Sequence, residues 1–141
     1  MGLFDMFKGA AAFDVTPRRA LTVSLIYCMG SDGEIDPEEV GHLMSVLGRN
    51  ATRDELGACL KYARSTPIEK FLEEATGKLD PTQRMCILLN MIDSAMSDGE
   101  AEQGERDLIE RFQHGFGIDH AALEPNFRAL VIKNDRRVLD A

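Results

Sequence analysis

Tryptophan is absent from this 141-residue chain, and tyrosine occurs only twice. Basic residues are outnumbered, 16 Lys and Arg against 24 Asp and Glu, for a formal charge of −8. With neither a stacking platform for bases nor a basic stripe between aromatic rings, and with a field that repels phosphate, the composition argues against a nucleic-acid partner. The three cysteines, Cys28, Cys59 and Cys86, stand singly in apolar surroundings with no C-x-x-C pair. That points to buried thiols in a reducing compartment rather than to disulfides or zinc. No apolar run reaches the roughly 20 residues that cross a bilayer, and the start lacks the basic region and long apolar core of a signal peptide, so a cytoplasmic protein is expected. Met6 also stands where a myristoylation signal needs Ser or Thr. Nor is there a glycine-rich phosphate loop or a nucleophile elbow, and an organic cofactor is not expected.

What is present is a duplication. Ser31-Asp32-Gly33-Glu34 recurs 66 residues later as Ser97-Asp98-Gly99-Glu100, each after a strongly apolar stretch and before a charged one. The same offset pairs Thr16 with Thr82, Arg18 with Arg84, Ile26 with Ile92 and Glu39 with Glu105, while Ser24 meets Asn90. A repeated turn implies a repeated fold, here residues 16–48 and 82–115 within a single domain spanning 1–141.

Helical periodicity dominates and the β-branched residues never cluster, so the class is all-α. Thr16 with Pro17 opens a first helix whose Leu21, Val23, Leu25, Ile26 and Met29 cover most of its circumference. The stretch from Met85 to Ile92, opened by Asp80-Pro81, repeats it, and the two are expected at the centre of the molecule. Asp36-Pro37-Glu38-Glu39 reads as a helix start, with an end near Gly48, and Thr52-Arg53-Asp54-Glu55 as a capping box. Ser65-Thr66-Pro67 interrupts that helix, and a shorter one follows to about Gly77. Beyond Ser97-Asp98-Gly99 a helix runs to Gly115 or Gly117, and Asp119 caps a last one, with Pro125 expected to kink or split it. Residues 1–13 form a short amphipathic piece that docks on its own domain or, alternatively, touches a membrane surface or partner.

The acids suggest where function lies. An EF-hand demands Gly at the sixth loop position and Glu at the twelfth. Counting from Asp32 these are Pro37 and Leu43, and from Asp98 they are Gln103 and Ile109, so neither turn is one. A looser cation site remains: Asp32, Glu34, Asp36 and Glu39 offer hard oxygens within about two helical turns, as do Asp98, Glu100, Glu102 and Glu105. Calcium or magnesium suits such donors better than zinc. The plainer reading is that acids at helix starts only cap amides and oppose the dipole, contributing roughly 0.3–1 kcal/mol each. Asp93 either faces solvent at its helix end or reaches inward to a metal, a partner or an arginine such as Arg18 or Arg84. His42, His114 and His120 lack ligand spacing and read as surface residues. Paired carboxylates can do acid–base chemistry, but solvated caps lack the desolvation that tunes them, which argues against an enzyme.

In residues 27–39 (YCMGSDGEIDPEE) and 93–105 (DSAMSDGEAEQGE) the sequence resembles the bacterial tellurite-resistance TerB and TerB-like domains, in which an apolar helix runs into an Asp-Gly turn and an acidic helix, twice over. The opening MGLFDMFKGA is also similar, so the resemblance extends to about Asp119. It implies a bundle of about seven helices without catalytic activity, tied to tellurite resistance and wider chemical or phage stress. It further implies a cation-linked module working with protein partners near the inner membrane face, through Asp32, Glu34, Glu39, Asp98, Glu100 and Glu105. TerB-like domains also occur fused to co-chaperone modules, so a helical protein-interaction adaptor is the alternative. Gly104 departs from the pattern by replacing a helix-favouring acid of the second motif.

Overall fold

The computed structural model describes residues 13–30, 35–96 and 103–140. These form seven α-helices and no strand: α1 (Pro17–Cys28), α2 (Pro37–Leu47), α3 (Arg53–Ser65), α4 (Ile68–Thr76), α5 (Pro81–Met96), α6 (Gln103–Gly115) and α7 (His120–Asn134). Short 3₁₀ turns follow α2 and α7. The all-α class expected from the periodicity is the one observed.

Local chemistry sets the helix starts. Thr16 accepts a bond from the Arg19 amide at 3.2 Å, with Pro17 in the first turn. Asp36 and Glu39 close a reciprocal capping box, and Asp80 does the same with Gln83. Thr52 accepts from the Glu55 amide, but the Glu55 carboxylate does not complete the expected box, because both its oxygens go to Arg19 at 2.5 and 3.0 Å. A charged fork outcompetes a neutral backbone amide for the same carboxylate. The chain leaves α1 through Gly30 at φ 106°, and α2 ends on Gly48 at φ 68°, both backbone states that side-chain-bearing residues rarely take.

α1 and α5 pack against each other more extensively than any other pair, as expected for the two apolar helices. α2 and α3 flank α1, α6 and α7 flank α5, and α4 crosses to α6. Residues 22–26 of α1 are all buried, and the Ser24 hydroxyl among them is satisfied by the Ala20 carbonyl at 2.7 Å. Phe71 of α4 lies at the middle of an aromatic cluster, with ring centroids 5.7 Å from Tyr27, 6.2 Å from Tyr62 and 5.9 Å from Phe112. One hydrophobic cluster thus draws on every helix.

The structure extends the repeat beyond its sequence signature. α1 and α5, then α2 and α6, correspond at an offset of about 66, and α3 corresponds to α7 one residue further on, so that buried Leu56 matches buried Leu123. Each repeat is therefore three helices, with α4 as the connection.

Two expectations need correction. α7 continues unbroken through Pro125. The carbonyl that a proline deprives of its partner belongs to Ala121, which is solvent-exposed, so water can satisfy it without the helix being split. Cys86 is exposed, because it lies off the stripe through which Ile87, Leu88, Met91 and Ile92 enter the core, whereas Cys59 is buried and Cys28 half-buried. Of the N-terminal amphipathic piece only Phe13 is described. It stacks on Tyr62 with centroids 4.5 Å apart and carries the Arg19 guanidinium over its ring.

Candidate functional site

Asp32, Glu34, Asp98, Glu100 and Glu102 lie outside the described residues. Of the acids singled out in the sequence, Asp36, Glu39, Glu105 and Asp93 are described. Asp36 is exposed and Glu39 half-exposed, each with one carboxylate oxygen engaged in the capping box at the start of α2. Glu105 stands half-exposed in the first turn of α6.

Two electrostatic neighbours relate the flanks of the acidic turns. Burial, and then the nearby Glu105 carboxylate, push the Cys28 thiol at the end of α1 up to about 12. The start of the second acidic helix therefore lies beside the helix that leads into the first turn. His42 of α2 in turn lies within electrostatic reach of Asp93 near the end of α5. Each acidic helix thus has a charged or titratable side chain within electrostatic reach of the other repeat's apolar helix. The raised Cys28 value also keeps that thiol protonated at neutral pH, unsuited to act as a nucleophile.

Asp93 reaches neither Arg18 nor Arg84. Its carboxylate accepts from Asn134 at 2.7 Å and from Lys133 at 3.2 Å, fastening α5 to the end of α7. The Asn134 bond, then Lys133, holds its carboxyl below the usual range. Arg18 and Arg84 donate elsewhere, to the carbonyls of Val46 and Thr76. Asn90 donates to the Cys86 carbonyl within its own helix. His42, His114 and His120 are all exposed. Among the described residues no three His, Cys, Asp or Glu side chains cluster so as to hold a metal ion, and no helix is long and apolar enough to cross a membrane.

A feature not anticipated from the sequence lies over the end of α5. A cleft of about 760 Å³ opens between α6 and α7 over α5, lined by Ile92, Ala95, Met96, Ile109, Leu123 and Phe127, with Arg106, Glu110, Glu124 and Arg128 among its polar residues. Its sequence signal is α7 itself, whose Ala121, Ala122, Leu123, Phe127, Leu130, Val131 and Ile132 point around most of the helix.

With this arrangement in view, the comparison with known families is decisive: the model described as Tellurite resistance protein TerB matches residues 18–125, from the first turn of α1 to the middle of α7. The chain belongs to the TerB family. No curated protein and no solved structure matches it. The TerB match takes in both acidic segments, all of α5 and all of α1 but Pro17, and it ends before Phe127, leaving the exposed apolar part of α7 outside.

Proposed function

We propose that this TerB family member is a non-enzymatic stress-response module of the tellurite-resistance type. Its two acidic turns act as one anionic surface that binds a divalent cation or a basic protein partner. The observation that carries the reading is the proximity of Glu105 to Cys28, since it draws the start of one acidic helix to the lead-in of the other turn. The donor set fits a hard cation. Carboxylate oxygens of Asp32, Glu34, Asp36, Glu39, Asp98, Glu100, Glu102 and Glu105 suit calcium or magnesium better than zinc, and the capping box at Asp36 and Glu39 uses one oxygen of each carboxylate. The protein works in the cytoplasm, with peripheral contact at the inner membrane face through its partners, and needs no organic cofactor.

Titrating calcium, magnesium, manganese and zinc while following backbone amide resonances tests this. Shifts confined to the neighbourhoods of Asp32 and Asp98, abolished by Asp32→Asn with Asp98→Asn, support the cation. Silence for every ion leaves the basic partner alone.

The second reading is a helical protein-interaction adaptor of co-chaperone type, in which the acids are only helix caps. The reciprocal bonds of Asp36 and Glu39 favour it, because they use those carboxylates locally. A partner whose affinity is untouched by the double Asn substitution selects this version.

A further inference from the structure

We infer that α7 is a self-association surface, through which two copies of this chain pair about a twofold axis with their α7 helices antiparallel. The helix is apolar on most sides, yet among its side chains only Leu123 is fully buried. Phe127, Val131 and Ile132 remain 43%, 39% and 75% exposed, and Val138 and Leu139 beyond them 65% and 79%. A helix of this kind is stable when its remaining faces are covered.

Charge selects a second copy as the cover. α7 holds one acid, Glu124, against two bases, Arg128 and Lys133, while elsewhere 23 of the chain's 24 acids meet 14 of its 16 bases. The net charge of −8 makes copies of this chain repel one another, and α7, where bases outnumber acids, is a segment on which that repulsion is relieved.

The pattern along α7 is also self-complementary. Ala121, Glu124, Arg128 and Val131 fall on one stripe at spacings of three, four and three, which reads the same in both directions about Asn126. Antiparallel pairing about that point sets Glu124 against the partner's Arg128 and Ala121 against the partner's Val131. Opposite charges meet and large side chains face small ones, twice over by symmetry. Glu124 and Arg128 already share an ion pair at 2.7 Å within the helix, so the two copies' pairs merge into a network of four charges. A bilayer is a poorer cover, since a flat surface cannot enter the cleft beside Phe127.

The 15 residues of α7 span about 22 Å. Even extended by Val138 and Leu139, such a strip falls short of the roughly 800 Å² per partner of a standard interface, so the dimer is weak and concentration-dependent.

Sedimentation equilibrium of the full chain from micromolar to millimolar concentration decides the matter. The mass is expected to rise from 15.6 kDa toward twice that value. Ile132→Asp and Val131→Asp, at exposed positions where folding is spared, are expected to hold it at the monomer. Glu124→Arg and Arg128→Glu each place like charges across the axis and stay monomeric alone, whereas their equimolar mixture dimerises. A single monomer mass at every concentration leaves the face to another protein or a membrane and overturns the inference. Single charge variants that dimerise like the parent, or a mixture no heavier than its components, overturn it equally.

Discussion

α3 and α7 hold the same place in their repeats and are fastened differently. α3 is pinned at both ends: Arg19 of α1 grips Glu55 at its start, and the Tyr27 hydroxyl donates to the Thr66 carbonyl just past its finish. α7 keeps the counterpart of the second fastening, since Asp93 stands where Tyr27 does and reaches Lys133 and Asn134. The first has no counterpart. Met85 occupies the position of Arg19, and Ala121 and Ala122 the position of Glu55. Asp119, which corresponds to the capping residue Thr52, makes no side-chain cap bond. α2 and α3 accordingly pack on each other, while α6 and α7 stand apart around the cleft. A duplicated topology thus becomes one closed and one open half through a handful of substituted side chains.

The largest expected effects measure that contrast in the core. Leu43 and Ile109 are equivalent, but Leu43 is fully buried and Ile109 lines the cleft. Leu43→Ala should cost about 2–5 kcal/mol in urea unfolding. Ile109→Ala should cost roughly 1 kcal/mol, in keeping with its partial burial. Equal losses would mean that the cleft is closed in solution.

Next comes the pin that only the first repeat has. Arg19→Met removes the two charged hydrogen bonds to Glu55, a third to the Asp14 carbonyl and the contact over the Phe13 ring, all partly screened by solvent, at about 1–2 kcal/mol. Arg19 holds the Glu55 carboxyl below its ordinary range. A depressed carboxyl contributes stability above its unfolded value, near about 4.3 for glutamate, and loses it as pH falls through the lower folded value. The acid-unfolding profile of Arg19→Met should therefore be flatter than that of the parent in this window.

Smaller still is the difference between the caps. Thr52→Ala should cost about 1 kcal/mol and Asp119→Ala only a few tenths, read from thermal midpoints. A larger loss at Asp119 would show that α7 is capped in solution as α3 is.

The smallest effect is at the shared fastening. Asp93→Asn, at a partly solvated ion pair of roughly 0–1 kcal/mol, should speed amide exchange over residues 130–134 at neutral pH. The Asp93 carboxyl is also depressed, so the difference should vanish in acid, where the parent loses the same interaction.

Much of the fold was legible because its causes are local. Thr16-Pro17, Asp36-Pro37 and Thr52 mark helix starts that need no knowledge of distant residues, and the repeat offset placed α1 beside α5. What stayed hidden depends on partners far along the chain. Glu55 leaves its expected box for Arg19, 36 residues away, and Cys86 is exposed because of how α5 is rotated toward α1. The likeness of α3 and α7 was invisible because their side chains scarcely agree, only their lengths and the match of Leu56 with Leu123. The candidate site was read as a set of acidic positions, and the structure relates the flanks of the two turns through Glu105, Cys28, His42 and Asp93. The cleft was missed because the all-round apolar pattern of α7 marks an incompletely covered helix without saying which neighbour stands apart from it.

α4 belongs to neither repeat, yet its Phe71 sits among rings contributed by α1, α3 and α6. The tether between the halves is thereby also their keystone. A polypeptide cut on either side of it would strand one half without that ring, so heat or urea should dismantle both halves in one concerted melting rather than in sequence.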